Sequence, residues 1–244
     1  MRVILILLAV FSAVSTPARD VGKARHVVVI VWDGMRPDFV SEQNTPALWE
    51  LTQHGVIFEN HHAVYLSSTE VNGAAIATGD YPGDDGIVGN KEYRPEIDAE
   101  KFVHTESLAA VRKGDTISGG RYLRAPTLAE ILQHAGRKTM VAGAKGVALL
   151  HDRAERGAAS LGTTVFAGET LPENALERIT NLYGEFPKTN RNDWITSGVI
   201  DPLWKDGVPD FSLIWMNEPD LTQHFTGPGS KASLAAIKNA DENL

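Results

Sequence analysis

His26-Val27-Val28-Val29-Ile30-Val31-Trp32 is an unbroken apolar, largely β-branched run, closed by Asp33-Gly34. A run without polar alternation predicts a strand buried on both faces, as in a parallel sheet. Asp33-Gly34 marks the turn where the chain leaves that strand. Phe211-Ser212-Leu213-Ile214-Trp215-Met216 is a second run of the same kind, and residues 138–142 and 56–64 read as further strands. Helical signals fall between them. Asn44 or Thr45 caps a helix with Pro46 in its first turn, Leu48, Trp49 and Leu51 on its apolar face, and Gly55 beyond its end. Residues 72–78, closed by Gly79, and residues 126–135, followed by Gly136, read as two more helices. Others are expected over 173–183, near Trp194 and over 230–244, the last amphipathic with Leu234, Ile237 and Leu244 on one side. Residues 81–90 read as an ordered loop, and 91–124, with no clean period, as an insertion or cap. Strands alternating with helices predict an α/β fold: a doubly wound, mostly parallel sheet with helices on both faces. Ligands of such sheets sit beyond the carboxyl ends of the strands. Asp33, the 67–72 loop, and Asp220 with His224 all fall at such ends.

A chain of 244 residues supports one large domain or two small ones. At 43% hydrophobic and 22% charged residues it is globular, not disordered. A formal net charge of −8 excludes a general nucleic-acid surface, because nothing would neutralise a phosphate backbone. Small phosphate esters stay open, since bound metal ions supply positive charge locally. The first eighteen residues form a separate unit, with Arg2 at the start, an apolar run over 3–14, and Ser15-Thr16-Pro17-Ala18 after it. These are the three parts of a secretory signal peptide. A buried helix or an anchor is the competing reading, but the run is short for a bilayer. The chain has no cysteine, so neither a disulfide framework nor lipid attachment through cysteine arises. The expectation is a periplasmic or secreted protein, residues 19–244 forming its domain, with no membrane association after cleavage.

Each polar cluster has a plain reading beside a chemical one. Asp33-Gly34 alone is an ordinary turn, although a metal ion would also satisfy its carboxylate. Asp220 and His224, at i and i+4, can reach one cation from a single turn of helix, yet such pairs are common on surfaces. Ser67-Ser68-Thr69 precedes a helix, where a hydroxyl either caps it or attacks a phosphoryl group resting at its positive end. Spacing alone does not choose among the three hydroxyls.

Taken together, these segments resemble a family. Asp33-Gly34-Met35-Arg36-Pro37-Asp38 resembles the opening metal motif of type I phosphodiesterases and nucleotide pyrophosphatases, in the alkaline phosphatase superfamily. Thr69-Glu70-Val71-Asn72, with Ala77-Thr78-Gly79, Tyr81-Pro82 and Gly86-Ile87-Val88-Gly89-Asn90, is similar to the nucleophile segment. Glu218-Pro219-Asp220 with His224, Gly227 and Pro228 is similar to the second metal motif. The resemblance runs in order over residues 26–244. It implies an alkaline phosphatase-like fold and two divalent metal ions, usually Zn²⁺. It also implies Thr69 as nucleophile, Asn72 on a phosphoryl oxygen, Asp33 and Thr69 on one metal, and Asp220 and His224 on the other. The implied substrate is a small phosphate ester or nucleotide-like molecule, diesters ahead of monoesters, with phosphonates open.

The pattern also departs from the family. Val71 replaces a common proline and Gly73 a common histidine, positions expected to line the leaving-group side. The family's Asp-His metal pair, in a Ser-Asp-His-Gly stretch beyond residues 230–244, has no counterpart before Leu244. The C-terminal part of the fold is therefore expected to be missing and this chain by itself inactive. A non-catalytic relative that binds ligand is the reading this feeds. A sulfatase lacks support because the Ser-x-Pro-x-Arg match, Ser15-Thr16-Pro17-Ala18-Arg19, falls at the end of the leader and away from the strand ends, and a serine-dependent cytoplasmic phosphoglycerate mutase conflicts with the leader. Lys145, after a strand end, reads as a surface residue that could also meet a substrate anion. His61-His62 reads as a solvated edge and Asp84-Asp85 as a solvated turn.

Overall fold

The computed structural model describes residues 24–154 and 160–244, so the leader expected over 1–18 lies outside the described residues. In chain order the elements are β1 (Val27–Trp32), α1 (Pro46–His54), α2 (Thr69–Thr78), α3 (Pro82–Asp85), β2 (Lys91–Glu92), β3 (Val103–His104), α4 (Leu108–Ser118), α5 (Leu128–His134) and β4 (Thr139–Gly143). There follow α6 (Ala148–His151), β5 (Gly162–Phe166), β6 (Glu169–Leu171), α7 (Ala175–Tyr183), α8 (Arg191–Gly198), β7 (Phe211–Met216), α9 (Asp220–Thr226) and α10 (Lys231–Glu242).

Among the described residues the main sheet has the order β1-β7-β4-β5-β6. β1, β7, β4 and β5 run parallel, and β6 returns antiparallel to β5 through the two-residue turn Ala167-Gly168. The pleat sends alternate side chains to opposite faces. Val29, Val31, Leu213, Trp215 and Val141 enter one core with Val71 and Ala74 of α2, Val111 of α4 and Leu149 of α6. Ile30, Trp32, Ile214, Met216, Met140 and Ala142 enter the other, with Ile179 of α7, Ile195 of α8 and Ala240 of α10. Helices thus cover both faces, and the doubly wound α/β architecture expected from the sequence is the one observed.

Several local expectations change. β7 and β4 are buried throughout, but β1 is the edge strand, with Val27 48% and Val28 42% exposed. Residues 56–64 form no strand. A strand exists only through a ladder partner, and none among the described residues runs beside this segment; Val56 is 80% and Phe58 77% exposed. β5 and β6 arise in a stretch that carries no clear strand signal in the sequence. Residues 91–124 do not stand apart as a cap, because Ile97, Ala110, Val111, Tyr122 and Leu123 join the core shared with α2 and β7. α3 occupies the start of the expected 81–90 loop, where Asp85 is buried and accepts a bond from the Ile87 N–H at 2.7 Å. On α10 the buried face is Ser233, Ile237, Ala240 and Asp241, while Leu244 is exposed.

Candidate active site

β1, β7 and β4 lie side by side, so their carboxyl ends bring three polar residues together. Asp33 is the first residue beyond β1, and its N–H donates to the Met216 carbonyl at 3.2 Å. The Asp220 N–H in turn donates to the Asp33 carbonyl at 3.0 Å. Backbone bonds therefore register the two carboxylates, independently of any ion. Gly34 permits this approach. It sits at φ 73°, and a Cβ there would lie 2.7 Å from the Asp220 Cα. Glycine alone combines that φ with the missing side chain.

Lys145 follows β4. Its ammonium donates to Asp33 Oδ2 at 2.7 Å and to Asp220 Oδ2 at 2.5 Å. Burial pushes the Lys145 pKa down, but the charges and hydrogen bonds of Asp33 and Asp220 outweigh this and hold it above its ordinary value. The Trp215 indole N–H also donates to Asp33 Oδ2, at 3.2 Å.

Thr69 opens α2, behind Ser68 in an extended conformation. Its hydroxyl donates to the same Asp33 Oδ2 at 3.4 Å. The Ser68 side chain makes no capping hydrogen bond, so the plain capping reading of this hydroxyl cluster is not the one realised. Asn72, one turn on, is engaged in bracing the preceding loop. Its Oδ1 accepts from the Val64 N–H at 3.1 Å, and its Nδ2 donates to Ser67 Oγ at 3.1 Å and to the Ser68 carbonyl at 2.9 Å. Both donors of its amide are thus spent within the chain. Asn90 stands closer to the implied role. Its Oδ1 accepts from the Glu70 N–H in the first turn of α2 at 3.2 Å, and among the described residues its N–H₂ group has no acceptor. Val71 and Gly73 are buried against the core, so they do not line the leaving-group side. A Cβ on Gly73 would stand 2.2 Å from Val147 Cγ2 and 3.7 Å from the Trp215 ring. Glu70 is buried beneath the same turn, where desolvation first, and the charge of Glu106 second, raises its pKa to about 7.

His224 lies on α9 one turn after Asp220, with Nε2 3.4 Å from Asp220 Oδ1 and its side chain 72% exposed. The donor types fit divalent cations: carboxylate and hydroxyl oxygen on one side, carboxylate and imidazole on the other. The Lys145 ammonium between two carboxylates from separate strands shows that these residues form a seat for positive charge. Among the described residues no three His, Cys, Asp or Glu side chains converge on one point.

Asp33, Thr69 and Asp220 therefore meet at one point, His224 joins through Asp220, and Asn72 serves the loop. Sequence reasoning passes over the roles of Trp215 and Asn90 and ranks Lys145 as a surface residue first. Lys145 was legible by the rule that points to Asp33, since both follow a strand at the carboxyl edge. Trp215 was hidden inside an apolar run. His61 and His62 are exposed and belong to the irregular 56–64 stretch.

Residues 27–244 match the family model described as Type I phosphodiesterase / nucleotide pyrophosphatase. The chain belongs to this family. Among curated type I phosphodiesterases, it is 24% identical to mouse ectonucleotide pyrophosphatase/phosphodiesterase family member 7 over 242 residues, covering 98% of this chain and 48% of that protein. It is 24% identical to human family member 1 over 213 residues, 86% of this chain and 20% of that protein. Among solved structures, phosphonoacetate hydrolase from Sinorhizobium meliloti 1021, in complex with phosphonoformate, superposes with a TM-score of 0.64 at 19% identity. That match covers 91% of this chain and 52% of the hydrolase. Murine ectonucleotide pyrophosphatase/phosphodiesterase 5, an inactive threonine-to-alanine variant in complex with AMP, gives 0.59 at 20% identity, covering 90% and 50%. The chain thus spans about half or less of these relatives' lengths, and the structural likenesses establish the alkaline phosphatase-like fold.

Proposed function

We propose that this chain carries the nucleophile segment and part of the metal seat of an exported phosphoric-ester hydrolase acting through a phosphothreonine intermediate. The observation that carries the proposal is the Thr69 hydroxyl, held at the first turn of α2 and 3.4 Å from an Asp33 carboxylate already registered to Asp220. Asp33 Oδ2 accepts the hydroxyl's hydrogen bond, which turns the Thr69 lone pairs toward an incoming phosphorus. Two divalent ions, zinc by the family resemblance, would be held by Asp33 with Thr69 and by Asp220 with His224. When bound they supply Lewis acidity that favours the deprotonated hydroxyl and offsets phosphoryl charge. Thr69 Oγ forms the new bond to phosphorus as the ester oxygen leaves; water then displaces Thr69 and releases the phosphate product. The positive end of α2 and the free amide of Asn90 favour negative charge on the equatorial oxygens. Lys145, released from either carboxylate, is placed to meet an anionic oxygen of the substrate.

The relative with AMP supports a small nucleotide-like ester, and its inactive threonine variant supports a threonine nucleophile. A diester is the substrate we favour; phosphonate hydrolysis is the second reading, supported by the likeness to phosphonoacetate hydrolase. Export rests on the leader-like residues 1–18 and on relatives named ectonucleotide enzymes. No helix of the described residues is long and apolar enough to cross a membrane.

The test, in a version of the protein that carries the family's complete metal site, is hydrolysis of bis(4-nitrophenyl) phosphate with added zinc, alongside 4-nitrophenyl phosphate. Thr69→Ala should abolish turnover and leave the fold intact, whereas Ser68→Ala should stay active. An active Thr69→Ala enzyme with a dead Ser68→Ala would overturn the assignment. A monoester preference of tenfold or more, about 1.4 kcal/mol in transition-state binding, would remove the diester preference.

A further inference from the structure

The structure assigns Trp215 as a positioning residue: its indole N–H fixes Asp33 Oδ2 from a ring packed in the core that also carries the nucleophile helix. This rests on the reading of Asp33 and Thr69 given above.

Trp215 sits on β7, between Val31 of β1 and Gly143 of β4. The strand is buried at every position, and Trp215 is 2% exposed. A buried indole N–H needs an acceptor. This one takes Asp33 Oδ2, at 3.2 Å, rather than a backbone carbonyl. The same oxygen receives the Thr69 hydroxyl at 3.4 Å and the Lys145 ammonium at 2.7 Å. Of these three donors only the indole is held by a rigid ring in a packed core. The ring is confined on several sides. His151 stacks at 5.7 Å between centroids with a 53° tilt. Gly143 offers no side chain near the Trp215 Cβ, since a Cβ there would lie 3.4 Å from it. Val71 and Ala74 of α2 lie in the same core cluster as the ring. At Gly73 an added Cβ would stand at an ordinary contact distance of 3.7 Å from the ring, and it is Val147 Cγ2, at 2.2 Å, that excludes a side chain there. One side chain therefore meets the carboxylate through its N–H and shares a packed core with the nucleophile helix. Phenylalanine or leucine would fill the same core position without the first contact. The hydrogen bond is what tryptophan adds, and partners of this kind orient metal-binding carboxylates.

Three proteins test this: the unsubstituted chain, Trp215→Phe and Asp33→Asn. The first readout is the ¹⁵N–¹H indole resonance of Trp215, identified by its loss in Trp215→Phe. It should shift in Asp33→Asn while the other four indole signals stay in place. The second is zinc affinity by calorimetric titration. Trp215→Phe should bind zinc about tenfold more weakly, with a thermal midpoint close to that of the unsubstituted chain. An indole resonance indifferent to Asp33→Asn, or equal zinc affinity in the unsubstituted chain and Trp215→Phe, would overturn the assignment. Should Trp215→Phe unfold, the Trp215 resonance is assigned from through-bond spectra of the unsubstituted chain; its shift in Asp33→Asn then decides whether the contact exists, and the absence of a shift refutes the role. Failure of the metal reading looks different: the unsubstituted chain would then take up no zinc at any concentration tested.

Discussion

Two asparagines of identical chemistry flank the nucleophile, and their neighbours give them different work. Asn72 spends its carbonyl on Val64 and both amide protons on Ser67 and Ser68. Asn90 spends its carbonyl on the Glu70 N–H and keeps its amide. In the version with a complete metal site, Asn90→Ala is therefore expected to lower kcat/KM for the diester by roughly 10²-fold, as loss of one charge-stabilising donor does, beside a cost of about 1 kcal/mol for the Glu70 N–H left uncapped. Asn72→Ala should instead cost about 1–2 kcal/mol in urea unfolding, because the Val64 N–H and the loop lose their partner. Equal effects of the two substitutions on both measurements would refute the division. Spacing from Thr69 made Asn72 the natural reading; which carboxamide has spare donors depends on contacts twenty residues apart in the chain. Lys145 illustrates the same limit. Its position after β4 is visible in the sequence, but the two carboxylates it bridges come from residues 112 and 75 positions away.

Among the elements, α1 shows a helix whose start is secured from far along the chain. Thr45 precedes Pro46, yet the Thr45 side chain makes no capping bond. The free N–H groups of Ala47 and Leu48 donate instead to Asp241 Oδ2 and Oδ1 of α10, at 2.8 and 2.9 Å. Asp241 is 3% exposed, so these are buried, charge-assisted bonds at a helix N-terminus. Asp241→Ala should destabilise the fold by about 1–3 kcal/mol, read from the urea midpoint at unchanged slope; a loss under about 0.5 kcal/mol, the scale of an ordinary surface substitution, would show that water replaces the cap. α5 is the contrasting case. Its capping box, Thr127 with Glu130, is local and was readable from the chain. The periodicity of α10 announced a helix, but Leu234 and Leu244 are not its buried side. Where Asp241 docks on α1 sets the rotation of that helix, and no window of sequence contains that information.

At the scale of the whole molecule, folding buries a histidine whose Nε2 has no hydrogen-bond partner among the described residues. His151 is fully enclosed against Trp215, and burial pushes its pKa down to about 3. The unfolded chain takes up a proton near pH 6.5 while the folded chain does not until about 3, so stability is lost as pH falls through that window. The slope from this group approaches about 1.4 kcal/mol per pH unit. Glu70 acts in the opposite sense, its carboxyl being held protonated up to about pH 7, which favours the folded state as pH drops below that value. His151→Leu should remove the first contribution and leave the second. The difference between the two urea-stability curves should therefore grow as pH falls from 6.5 to 4, and parallel curves would show that His151 does not titrate on unfolding. Among the described residues, Val27 and Val28 of the edge strand β1 and the run of Val56, Ile57 and Phe58 are exposed apolar surface.

The sequence by itself determined the strands β1 and β7, most of the helices, the α/β class and the order of the three site segments. These depend on local periodicity, on turn residues and on motifs a few residues long. Tertiary structure alone decided that β7 inserts between β1 and β4, which turns β1 into an edge and brings Asp33, Asp220 and Lys145 to one point. It alone decided that residues 56–64 stay irregular, because a strand is defined by a partner and not by its own residues. It also made a core tryptophan a ligand-orienting donor, since an apolar run conceals which of its members ends beside a carboxylate. Hydrophobic pattern specifies which side chains are buried. Which polar atom each one meets there follows from strand order and helix rotation, and those are set by packing across the whole chain.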